Sequence, residues 1–151
     1  MNLYLDASAL VKHYIAETGS DQVTALIVDA ESVGMAIISR AEVAATFAKV
    51  VRMRILKHQA ALVLLQDFRD DWQDWVRIQL TESLVARADA LAWEHGLRGY
   101  DAVHLAAALV WQEALGESVT FATFDEALWQ AAEQEGLVPF PVDLSTRKGR
   151  R

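Results

Sequence analysis

The chain alternates short runs rich in β-branched and aromatic residues with longer stretches whose apolar positions recur every three to four residues. That pattern reads as strands and helices taking turns. Strands are predicted over 2–6, 33–38, 76–80, 119–122 and 138–142. Pro139 and Pro141 lie in the last of these, and a strand with prolines belongs at a sheet edge. Val43, Phe47, Val50 and Val51 mark the face of a helix after the second strand. Leu84, Ala88, Leu91 and Ala92 mark another that ends near Gly96, and Val103, Ala107, Val110 and Ala114 a third that ends at Gly116. A helical reading also covers Val50 to Leu65. Ala102 to Gln112 carries no formal charge with His neutral, so its helix is predicted to be central and buried. The expected fold class is α/β: a mostly parallel sheet of about five strands with helices on both faces.

A length of 151 residues fits one domain with a core of its own, expected over 1–142, followed by a basic tail at 143–151. Hydrophobic residues at 53% and charged residues at 23% describe globular rather than disordered material. With no cysteine, disulfides and thiolate zinc sites are excluded, which agrees with a reducing cytoplasm. Residues 1–6 lack the basic-then-apolar pattern of a signal peptide, and runs such as Ala60 to Leu65 are too short to cross a bilayer. A soluble, cytoplasmic protein is therefore expected. The net charge of −7 argues against a general nucleic-acid coat, though a bound cation can supply positive charge locally. Arg147-Lys148-Gly149-Arg150-Arg151 runs against that trend and reads as a solvated terminus or a weak nucleic-acid-contacting arm.

Four acids stand out by position. Asp6 closes the first strand, Glu42 lies in the opening turn of a helix after the second, Asp101 opens the uncharged helix, and Asp125 follows the fourth strand. In an open parallel sheet, strand carboxyl ends and the helix N-termini after them share one edge, where such folds place their sites. Each acid also has a local use. Ser39 to Glu42 and Thr123 to Glu126 both match a capping box, and Asp101 or Asp125 would be favourable near a helix N-terminus. As a group they need a counter-charge. Two carboxylates about 4 Å apart repel by about 4 kcal/mol at an effective dielectric near 20. An all-oxygen ligand set suits Mg²⁺ or Mn²⁺, ions that polarise phosphodiesters.

Leu5 to Lys12, Ser39 to Val43, Leu97 to Ala106 and Phe121 to Asp125 together resemble the PIN-domain family, and within it the VapC-type toxins of toxin–antitoxin pairs. The four segments occur in the family's order and span the chain from residue 2 to about residue 141. The resemblance implies a Mg²⁺-dependent (or Mn²⁺-dependent) endoribonuclease with Asp6, Glu42, Asp101 and Asp125 as catalytic metal ligands. Ser8 and Thr123 match hydroxyl positions that support the acids. A small VapB-type antitoxin and a homodimer are further implications.

Other residues admit two readings. His104, one turn after Asp101, would face the metal or be a packed, hydrogen-bonded side chain. Lys12, Arg40 and Arg98 would hold RNA phosphates or pair with local acids. Trp72 and Trp75, set among Asp70, Asp71 and Asp74, would stack on bases, meet a partner or pack into the core. Val50 to Leu65 would line an antitoxin groove or belong to the core. A haloacid dehalogenase-like phosphatase also starts with a strand ending in Asp, but needs a second Asp where Ser8 stands. A PIN nuclease of RNA processing without an antitoxin, and a non-catalytic PIN-like binding module, are the remaining alternatives.

Overall fold

The structure, a computed structural model, describes residues 1–144. Five strands, β1 (Asn2–Leu5), β2 (Ser32–Ala36), β3 (Val76–Ile78), β4 (Val119–Ala122) and β5 (Val138–Phe140), form one sheet in the order β3-β2-β1-β4-β5. Every pairing is parallel. All five predicted strands are present, and the fourth has the predicted bounds. The other four run shorter at the carboxyl end, because the chain turns there into a helix or loop. Leu5 is the last residue of β1 because Asp6 caps the next helix with its own side chain, its Oδ1 accepting from the Ala9 N–H at 2.8 Å. The proline-bearing β5 is an edge strand, as predicted.

The helices fall into two layers. α1 (Ala7–Lys12), α2 (Ser20–Asp29), α3 (Ser39–Arg52) and α4 (His58–Asp71) cover one face. They bury Leu10, Val23, Val43, Phe47 and Phe68 against Leu3, Leu5, Val33 and Met35. α5 (Glu82–His95), α6 (Gly99–Leu115) and α7 (Glu126–Gln134) cover the other, around Tyr4, Ala36 and Phe121. The alternation Leu3, Tyr4, Leu5 along β1 thus feeds both cores.

α6 is buried on almost every side from Ala102 to Leu109, so the predicted stripe of Val103, Ala107, Val110 and Ala114 is only part of its contact surface: the first three pack into the core, with Leu105, Ala106, Ala108 and Leu109 beside them. Of those four, Ala107 is fully buried and Ala114 is exposed. The predicted ends of α5 and α6 at Gly96 and Gly116 are both observed, with φ of 66° and 67°. The stretch from Val50 to Leu65 is not one helix. It breaks between α3 and α4, where Arg54 adopts a φ of 59°. No glycine or proline marks that break. Trp72, in a short 3₁₀ turn (Trp72–Asp74), is core, and the half-buried Trp75 packs beside Phe68 and Tyr14, so both rings take part in intramolecular packing. The basic residues of the tail, Arg147, Lys148, Arg150 and Arg151, lie outside the described residues. Among the described residues, no helix is long and apolar enough to cross a membrane.

Candidate active site

β1 is the strand at which the sheet order reverses, with β2 and β3 laid to one side and β4 and β5 to the other. Such a reversal leaves a crevice at the carboxyl ends of the central strands. A cleft of about 790 Å³ opens there, and Asp6, Glu42, Asp101 and Asp125 all line it, with Ser8 and His104.

Asp6 is the innermost acid, 4% exposed. Its Oδ1 accepts from Ser8 Oγ at 2.7 Å and the Ala9 N–H at 2.8 Å, and its Oδ2 from Thr123 Oγ1 at 2.5 Å. Thr123 Oγ1 in turn accepts from the Asp125 N–H at 3.1 Å. The two hydroxyls singled out from the sequence therefore do hold Asp6. Burial pushes the Asp6 carboxyl above its ordinary range, against the opposing pull of these three hydrogen-bond donors.

Neither capping box forms. α3 starts at Ser39 with no side-chain cap, and Ser39 Oγ is buried without a hydrogen-bond partner. Glu42 turns into the cleft instead, its Oε1 2.7 Å from His104 Nε2. α7 is capped by Asp125, whose Oδ1 accepts from the Leu128 N–H at 2.9 Å. That cap uses one oxygen and leaves Oδ2 toward the cleft. Thr123, the expected cap, is committed to Asp6.

Asp101 and Asp125 share a cation. Arg98 Nε lies 2.9 Å from Asp101 Oδ2, and its Nη2 3.2 Å from Asp125 Oδ2. Arg98 is 77% exposed, so this guanidinium is a solvent-facing counter-ion and not a buried brace. Lys12 pairs with Glu17 at 3.2 Å and lies over the Phe124 ring, while Arg40 is exposed and does not line the cleft.

Among the described residues, three metal-ligating groups with all donor atoms within 4.8 Å of one another occur at Glu94, His95 and Glu135, away from the cleft. The four acids share one cleft at wider spacing. That spacing suits Mg²⁺, which keeps several waters and takes one or two carboxylates directly, with substrate phosphates. The donor set is all oxygen, and it already draws one cation, Arg98. The residues fit the ion.

Sequence reasoning missed Tyr4, Thr46, Lys49 and Phe124. Tyr4 carried a signal: a hydroxyl in the middle of an otherwise apolar buried strand must find a partner. Thr46 and Lys49 follow Glu42 by four and seven residues on α3, and the same helical spacing puts them on the cleft wall.

The PIN domain profile matches residues 3–134. Two proteins named Ribonuclease VapC45 and Ribonuclease VapC49, from two strains of Mycobacterium tuberculosis, are each 34% identical over 143 residues. Those matches cover 94% of this chain and 96% of each relative. FitAcB from Neisseria gonorrhoeae superimposes with a TM-score of 0.63 at 19% identity, covering 93% of this chain and 97% of its own. A toxin–antitoxin complex from Klebsiella pneumoniae gives 0.58 at 17%, covering 82% and 86%. The reversal strand, the four-acid cleft and the match over nearly the whole length agree: the chain belongs to the PIN domain family.

Proposed function

We propose that this chain is a VapC-type toxin, a divalent-metal-dependent endoribonuclease restrained by a small antitoxin. The observation that carries the reading is the convergence of Asp6, Glu42, Asp101 and Asp125, from four distant segments, on one cleft at the carboxyl edge of the sheet. The relatives that share this length at 34% identity are named ribonucleases, which supports RNA as substrate.

In this reading Asp6 and Asp101 hold Mg²⁺ or Mn²⁺, with Glu42 and Asp125 completing the acidic set. When bound, the ion supplies the positive charge that offsets the carboxylates and polarises the scissile phosphodiester. The protein's part is orientation. Ser8, Ala9 and Thr123 fix the plane of the Asp6 carboxylate, and Arg98 balances Asp101 and Asp125 while no ion is present. Away from the acids the cleft continues along Thr46, Lys49, Val50 and Ile55. There Lys49 offers an ammonium for a neighbouring phosphate, and the apolar wall a surface for a base. Between α3 and α4 a second groove of about 290 Å³, lined by Phe47, Val51, Leu62 and Leu65, offers an apolar surface to an antitoxin segment. The reading includes a homodimer, which light scattering tests directly.

The deciding experiment is cleavage of RNA by purified protein over a Mg²⁺ and Mn²⁺ titration. Excess chelator is expected to stop cleavage without unfolding the protein, and Asp101→Asn to abolish it at any metal concentration. Cleavage that survives chelation, or full activity of Asp101→Asn at low Mg²⁺, would overturn the reading.

A further inference from the structure

Glu42 has given up the reach-back contact that its spacing from Ser39 offers, and something else fixes it. His104 is 2% exposed, and its two ring nitrogens are both engaged. Nε2 lies 2.7 Å from Glu42 Oε1, and Nδ1 lies 2.7 Å from the Tyr4 hydroxyl. Tyr4 is fully buried, stacked on Phe121 at 5.2 Å and edge-on to His104, and its oxygen accepts from the Ala36 N–H at 3.1 Å.

The two ends of this chain of hydrogen bonds set its direction. A backbone N–H can only donate and an ionised carboxylate can only accept. The Ala36 N–H donates to Tyr4; the buried Tyr4 O–H, whose one acceptor among the described residues is His104 Nδ1, donates there; and His104 Nε2–H donates to Glu42. That assigns the neutral Nε2–H tautomer. The relay runs from β2 through β1 and α6 to α3, so it ties Glu42 to the strand that carries Asp6 and the helix that carries Asp101. Glu42 Oε2 makes no hydrogen bond among the described residues and is left to the cleft.

We propose that His104, oriented by Tyr4, is the positioning residue that aims Glu42 into the acidic cleft. The proposal rests on the metal-dependent reading above. A histidine and a tyrosine that merely fill the core would affect stability alone. A positioning pair also affects how well the site holds an ion, and outer partners of metal-binding carboxylates typically change affinity or activity about 10- to 100-fold.

The test uses the full chain with Mn²⁺ as probe. Calorimetry gives the Mn²⁺ affinity without RNA, kinetics give kcat and KM on RNA, and thermal melts follow folding. His104→Leu is expected to weaken Mn²⁺ binding and lower kcat by about 10- to 100-fold, with KM for RNA changed little. His104→Gln is expected to recover most of both, because its amide can donate to Glu42 while its carbonyl accepts from Tyr4. Tyr4→Phe should fall between them. Should His104→Leu not fold, His104→Gln, Tyr4→Phe and the ¹⁵N spectrum of the wild-type ring remain. A ring protonated at Nδ1, wild-type Mn²⁺ affinity and kcat in a folded His104→Leu, or His104→Gln no better than His104→Leu would each overturn the proposal. Asp6→Asn separates the two readings. If it too binds Mn²⁺ and cleaves like wild type, the metal site itself is wrong. If it is dead while His104→Leu is normal, only the positioning role fails.

Discussion

Asp6 and Arg98 show how single residues carry the electrostatic load of the cleft. Burial raises the Asp6 carboxyl pKa above its unfolded value, so the folded protein holds that proton more tightly than the unfolded chain. Stability then falls as pH rises from the ordinary carboxylate range through the raised value. Asp6→Asn has no such proton, although it gives up one acceptor for Thr123. In chelator, the stability of wild type relative to Asp6→Asn is therefore expected to improve as pH falls from neutral into the acid range. Denaturant melts at several pH values check this, and a constant difference would contradict it. Arg98 acts in the opposite sense, as an exposed cation on Asp101 and Asp125. Arg98→Gln should tighten Mn²⁺ binding several-fold in calorimetry at low ionic strength. The gain should shrink in high salt, where exposed charges are screened.

At the scale of elements, α3 decides what Glu42 can do. Glu42→Gln retains an oxygen that accepts from His104 Nε2 but loses the charge. Its melting temperature is expected to stay close to wild type while cleavage drops on the order of 100-fold or more. Equal activity would return Glu42 to a structural role. This same helix shows where sequence reading succeeds and where it stops. The strands, the ends of α5 and α6 at Gly96 and Gly116, and the shared edge of the four acids are written in local patterns: β-branched runs, terminating glycines, acids after strands. The capping boxes, the local alternative for these acids, are also local patterns, and they do not form, because Thr123 and Glu42 have partners 117 and 62 residues away in Asp6 and His104. The break at Arg54 and the buried circumference of α6 are likewise set by packing between layers, which spacing along one segment does not encode.

For the molecule as a whole, the central sheet must sit close to α6 for Tyr4 and His104 to meet. Gly34 on β2 makes room for that approach. A Cβ there would come within 2.9 Å of the Trp111 ring. Gly34→Ala is therefore expected to force sheet and helix apart, at a cost of about 1–3 kcal/mol in denaturant melts. An unchanged midpoint would show that Trp111 can step aside.

The order of the strands also has a consequence in time. Asp6 and its strand are flanked on one side by β4, and its Oδ2 is held by Thr123, 117 residues later in the chain. Until β4 and Thr123 have been synthesised, Asp6 lacks those partners. The innermost acid of the cleft is thus held at both oxygens only once a segment made after Glu42 and Asp101 is in place. A fragment ending before β4 is expected to be inert toward RNA, even though it already contains three of the four acids.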